Sequence, residues 1–222
     1  MALLSFSRLA LALLLLAKSA TAEQPSPSLD DATAPAAQPP APSSLSVLFI
    51  GNSYTFVNDV PGMVQNISAS AGLTLVHSQA TKGGASLFQH ANASLDVGRA
   101  TLALLRSQHW DAVVLQDQSE TAGGGRDTDD SLPEGEGRRR SLSALSTTYA
   151  PILRLAGSRA VLYETWGRKS GDPPNAACCG YGSFEGMNNL SKHGYELYAE
   201  ALRSVWTTHT TVQFPYACPE PV

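Results

Sequence analysis

The chain has 222 residues and a formal charge of −4, from 15 Lys and Arg against 19 Asp and Glu. A net negative balance gives no pull toward phosphate backbones or anionic lipid surfaces, which disfavours nucleic-acid binding and peripheral membrane attachment. At 43% hydrophobic and 15% charged residues, the composition is that of a globular protein whose one domain is large enough to bury a core unaided. Three cysteines, Cys178, Cys179 and Cys218, show no C-x-x-C spacing, so neither a structural metal nor a cofactor is expected.

Residues 1–22 carry Arg8, an apolar run from Leu9 to Ala17, and the small residues Ala20, Thr21 and Ala22, the three-part pattern of a secretory signal peptide. That run is too short to span a bilayer. The protein is therefore expected to be secreted or extracytoplasmic, with no membrane span after cleavage. Export makes Asn66, Asn92 and Asn189, each opening an Asn-x-Ser sequon, candidate glycosylation sites in a eukaryotic host. Residues 23–44 hold prolines at 25, 27, 35, 39, 40 and 42 and read as a disordered linker. The folded domain is expected over 45–206, with an irregular tail at 207–222.

Short apolar runs alternate with segments of helical period, the pattern of a parallel sheet covered by helices. Ser46 to Ile50 is a continuous β-branched run, as a strand buried on both faces requires. Pro61 suits the first turn of a helix with apolar positions Met63, Val64, Ile67 and Ala71, and Gly72 stands where it ends. A second strand is predicted at 73–77, a helix through Leu95, Leu102 and Leu105, and a strand at 112–115. The polar stretch 121–141, with Gly123 to Gly125 and Arg138 to Arg140, reads as a surface loop with its arginines in solvent. Leu142, Leu145, Tyr149 and Leu153 mark a further helix, kinked at Pro151, followed by a strand at 159–165 and a last helix from Met187 to about Ser204.

In an open parallel sheet, ligands sit at the carboxyl ends of the strands. The first strand ends in Gly51-Asn52-Ser53-Tyr54-Thr55, the second is followed by Lys82-Gly83-Gly84-Ala85-Ser86-Leu87, and the third ends in Gln116-Asp117-Gln118-Ser119. A serine on a tight glycine turn beyond a buried strand can expose its hydroxyl while helix-start amides face the same point, the geometry of a nucleophile beside an oxyanion hole. Taken alone, Gly51-Asn52-Ser53 reads more readily as an ordinary turn. Lys82-Gly83-Gly84 lacks P-loop spacing, which disfavours nucleotide binding.

Together, Ile50 to Thr55, Gly83 to Leu87 with His90, and Trp110-Asp111 before Val113 to Ser119 resemble the SGNH/GDSL hydrolase superfamily, in particular a bacterial and algal branch whose first block reads Gly-Asn-Ser. Leu162 to Arg168 and Met187 to Tyr198 also resemble that branch. The resemblance implies a three-layer α/β/α, flavodoxin-like fold with a parallel sheet, and hydrolysis of acyl or acetyl esters, including esters on carbohydrate, through an acyl-serine. It makes Ser53 the nucleophile, with the amides of Ser53 and Gly84 and the side-chain amide of Gln116 as oxyanion donors. Gln118 is the reserve donor. Asn52, Gln118 and His90 are expected to flank the substrate.

The superfamily places its base in a C-terminal Asp-x-x-His, and this chain has no Asp after Asp172 and no such motif. A serine without a neighbouring base is a poor nucleophile. The sheet is therefore expected to be incomplete at its C-terminus. The alternative to an esterase is a truncated or catalytically inactive relative acting as a secreted binding protein.

Overall fold

The computed structural model describes residues 44–125, 132–203 and 210–212. The signal peptide expected at 1–22 lies outside the described residues, as do all of the 23–44 linker but Ser44 and most of the 207–222 tail, with His209 and Cys218.

Strands β1 (Ser44–Gly51), β2 (Thr74–Thr81), β3 (Ala112–Leu115) and β4 (Arg159–Tyr163) form a parallel sheet in the order β2-β1-β3-β4, and β5 (Thr210–Val212) extends it beside β4. This is the doubly wound order in which the chain turns in opposite directions on either side of β1 and β3. The crevice at their carboxyl ends is the topological switch point. Ile50 pairs with Leu115 there, so the turns after β1 and β3 emerge side by side.

Alternation along the central strands divides the core. Leu48, Ile50, Val113, Leu115 and Leu162 point to one face, and Val47, Phe49, Val114, Val161 and Tyr163 to the other. Full burial of side chains of this size is worth about 1.5–3 kcal/mol each, which is why these runs stay in the sheet. The first face is covered by α4 (Asp96–Leu105) through Leu102 and Leu105, by a long helical segment through Leu145, Tyr149 and Leu153, and by α9 (Phe184–Arg203) through Tyr195, Tyr198 and Leu202. The second packs on Val60 and Val64 of α2 (Val60–Ser70). Among the described residues no helix is long and apolar enough to cross a membrane.

Several local features follow directly from the residues. Asp59 caps α2, its carboxylate accepting from Gly62, and the helix closes before Gly72 at φ +77°. The segment through Pro151 is not simply kinked. α6 (Glu136–Ala144) passes through a π-helical turn, Leu145–Tyr149, into α7 (Ala150–Ala156), with the amide of Ala150 donating to Leu145 one residue further back than in an α-helix. Proline has no amide hydrogen to continue the regular ladder, so the shift in register falls immediately before it.

The predicted surface loop at 121–141 is corrected by the structure. Its start belongs to α5 (Ser119–Gly123), buried along its whole length, and its end to α6. The Arg138 guanidinium donates to the Gly123 carbonyl at 3.3 Å, while Arg139 and Arg140 both pair with Glu136. Those two bonds hold the Glu136 carboxyl down at about 2.

Candidate active site

The turn after β1 is held by side chains from two other loops. A Cβ on Gly51 would lie 2.5 Å from Gln116 Oε1 and 2.6 Å from Thr55 Oγ1, so only glycine lets these groups approach. Asn52 is extended and buried, and its Oδ1 accepts from the Tyr54 amide at 3.1 Å, capping the short helix α1 (Ser53–Phe56). Its Nδ2 donates to the Ala85 carbonyl at 3.0 Å, and its own amide donates to Gln116 Oε1 at 2.9 Å. Asn52 is thus a pin inside the site, with no face to solvent. Ser53, the first residue of α1, is half-buried, and among the described residues neither its amide nor its hydroxyl has a hydrogen-bond partner.

The loop after β2 is tied to the same turn. The Lys82 amide donates to the Gly51 carbonyl at 3.2 Å, and the Ala85 amide donates back to Lys82 at 3.1 Å. Gly84 between them takes φ +70°, a left-handed conformation that favours glycine, and its amide also has no partner among the described residues. The loop passes into α3 (Leu87–His90), whose first amide, Leu87, donates to Asp117 Oδ1 at 2.8 Å. Asp117 also accepts from the Gln118 amide at 2.8 Å and the Tyr198 hydroxyl at 2.6 Å, so one carboxyl links β3, α3 and α9. Burial pushes it up to about 6, against hydrogen bonds that act to lower it.

The two glutamines expected near the oxyanion are both engaged elsewhere. Gln116 is fully buried: its Oε1 accepts from Asn52 and, at 2.8 Å, from the Thr55 hydroxyl, and its Nε2 donates to the Asp117 carbonyl. It braces the serine turn through its oxygen. Gln118 caps α5, its Oε1 accepting from Glu120 at 2.7 Å and Thr121 at 2.9 Å, while its Nε2 donates to Glu120. Each Nε2 carries two hydrogens and spends one of them in this arrangement, on Asp117 for Gln116 and on Glu120 for Gln118, which leaves one N–H of each without a partner among the described residues.

His90, expected to flank the substrate, is fully buried beneath the end of β1. The Gly51 carbonyl, 3.0 Å from Nε2, can only accept, so Nε2 carries the proton and Nδ1 accepts from the Thr101 hydroxyl at 2.7 Å. Burial lowers its pKa to about 4, with the Lys82 charge adding to the effect and the Gly51 bond opposing it. A neutral imidazole with both nitrogens occupied is a brace and not a base. The other described histidines also lie away from Ser53: His77 pairs with Val47 early in β2, His109 bonds to Ala156 near the start of β3, and His193 faces Glu196 on α9.

Sequence reasoning missed the polar cluster beyond β3 and β4. Arg168 pairs with Glu120 and, at 2.8 Å, with Asp172, two carboxylates whose side chains are only 7% exposed. Ser119 donates to Glu120 at 2.9 Å, and Asn175, on α8 (Pro173–Cys179), donates to Asp172 at 2.5 Å. Trp166 on the same loop meets Tyr54 edge-on at 5.0 Å, which brings the cluster to the residue beside Ser53. Arg168 and Glu120 lie 48 residues apart, so spacing carries no sign of that pair. Among the described residues no three His, Cys, Asp or Glu side chains gather as metal ligands.

No family model matches the chain, and no curated protein does. Its structure resembles solved ones. A Slackia heliotrinireducens protein assigned to the SGNH hydrolases aligns over 73% of this chain and 76% of its own, with a TM-score of 0.54 and 21% identity. A DUF4886-family protein from Bacteroides uniformis aligns over 72% of this chain and 64% of its own, with a TM-score of 0.50 and 14% identity. The chain therefore has the parallel α/β fold of SGNH hydrolases.

Proposed function

We propose that this chain is a secreted SGNH-type serine esterase acting on acyl or acetyl esters, with carbohydrate esters among its candidate substrates. The observation that carries the reading is the pairing of two loops at the switch point. Asn52, joined to Ala85, sets the hydroxyl and amide of Ser53 beside a loop that carries the Gly84 amide, and none of these three groups has a partner among the described residues. Ser53 Oγ attacks the ester carbonyl carbon, the carbonyl π electrons move onto oxygen, and the amides of Ser53 and Gly84 receive that charge. The proton released by Ser53 Oγ on attack passes to water, and as the intermediate collapses and its ester C–O bond breaks, water returns a proton to the leaving oxygen, so the alcohol departs from an acyl-serine that a further water hydrolyses to the acid, restoring the Ser53 hydroxyl. Gln116 positions the turn through its oxygen, which accepts from Asn52 and Thr55, and the Nε2 hydrogen not given to Asp117 is the third oxyanion donor of this reading. Export rests on the leader pattern of residues 1–22, and the exposed Asn66, Asn92 and Asn189 are accessible to glycosylation.

One observation favours the second reading, an inactive relative that binds esters. Among the described residues no histidine bonds to Ser53, and His90 is spent on Gly51 and Thr101. Hydrolysis of p-nitrophenyl acetate by the purified chain and by Ser53→Ala separates the two. The esterase reading expects the variant to lose at least about ten-fold in rate; identical rates leave only the binding protein.

A further inference from the structure

Beside Gly84 runs a groove of about 530 Å³, lined by Lys82, Gly83, Gly84, Ala85, Leu95 and Val97. Its walls mix the apolar side chains of Ala85, Leu95 and Val97 with the polar one of Gln89 and with bare backbone, and a Cβ on Gly83 would meet nothing within 4 Å. Two charged side chains reach it. Asp96 is already paired with Arg99, which also donates to the Ser94 carbonyl at 3.2 Å. Lys82 is exposed and has no ionic partner among the described residues, although its backbone is fixed at both ends by Gly51 and Ala85. One cation with no ionic partner among the described residues thus stands at the lip of a mixed polar and apolar groove that opens next to the Gly84 amide.

We propose that this groove receives a short aliphatic arm of the ester that ends in a carboxylate, and that Lys82 is the residue selecting it. The inference rests on the esterase reading, because Gly84 places the groove beside the carbonyl to be cleaved. An arm of a few methylenes buries against Ala85, Leu95 and Val97, and its terminal anion meets Lys82. A neutral arm of equal length gains the apolar contact alone. The preference is electrostatic at a wet site, so it is modest and screened by salt.

Binding to Ser53→Ala protein, followed by NMR titration, tests this without turnover. Monomethyl glutarate is expected to bind about three-fold more tightly than methyl pentanoate at low salt, with the preference gone in the Ser53→Ala, Lys82→Gln double variant and in about 0.5 M NaCl. Filling the groove with Gly83→Leu is expected to weaken both ligands. Equal affinities for the two esters, or a preference that survives Lys82→Gln, overturns the assignment. Wild-type protein without Ser53-dependent hydrolysis would instead defeat the esterase reading, and the binding result is read separately.

Discussion

The side chain of Asn52 reaches the carbonyl of Ala85 at 3.0 Å and so joins the turn bearing Ser53 to the loop bearing Gly84. The same side chain caps α1 through its oxygen. Asn52→Ala loses both bonds and leaves the Ala85 carbonyl unpaired in a buried place. A cost of about 1–3 kcal/mol in urea unfolding is expected, together with a fall in any Ser53-dependent hydrolysis. A variant as stable as wild type would show that the two loops are held by something else.

Gly51→Ala probes the brace from the opposite side. The added methyl falls on Gln116 Oε1 and Thr55 Oγ1 and parts the bonds by which Gln116 holds Asn52 and Thr55. Both groups are buried, so relief requires backbone movement, and about 1–3 kcal/mol of destabilisation is expected from the unfolding midpoint. An unchanged midpoint would contradict the packing described around this turn.

Removal of Arg168 strands two carboxylates, those of Glu120 and Asp172, in nearly buried positions. Because the guanidinium itself is 42% exposed, the loss in Arg168→Ala is expected to be about 1–3 kcal/mol, below that of a fully buried pair. The urea unfolding midpoint checks it, and a midpoint equal to that of wild type would contradict the ion-pair account.

Two buried carboxyls give the protein a pH dependence of unusual sign. Asp117 is raised from 3.8 to about 6 by burial, so between those values the folded state holds a proton that the unfolded chain has released. Its stabilising contribution is complete below about pH 4 and lost as pH rises through 6, on the order of 2–3 kcal/mol. Glu164 is raised from 4.5 to about 7 by burial, with Lys192 opposing the shift and Glu196 adding to it, and one of its oxygens has no partner among the described residues. It acts in the same direction up to pH 7. Glu164→Gln is therefore expected to flatten the fall in stability between pH 5 and 7.5 and to be more stable than wild type at pH 8. Parallel pH profiles for the two proteins would contradict this.

The strands were legible where they are buried on both faces, because continuous runs such as Val47 to Ile50 and Val113 to Leu115 have no other home than a covered sheet. β2 extends to Thr81, beyond the predicted end at His77, since Ser78 to Thr81 are polar or small residues of an outer strand and carry no apolar signal. Thr210–Val212 pairs with β4 inside the stretch expected to be irregular, and three residues are too few to show a period. α5 was read as loop because its polar residues are buried against partners far along the chain: the Tyr181 hydroxyl donates to the Glu120 carbonyl at 2.9 Å, and Arg168 pairs with the Glu120 carboxylate. At the site, glycine and asparagine beyond a buried strand announced the turn. Which way the Gln116 and His90 side chains face depends on Asn52, Thr55 and Thr101, and no spacing rule encodes that.

The central proposal is that the hydroxyl of Ser53 is the nucleophile of an ester hydrolase. A fluorophosphonate ester, which phosphonylates serines of that kind, followed by peptide mapping by mass spectrometry, tests it most directly. The account predicts an adduct confined to the peptide containing Ser53 and absent from Ser53→Ala. An adduct on a different serine, or none under conditions that label a known serine esterase, would contradict it.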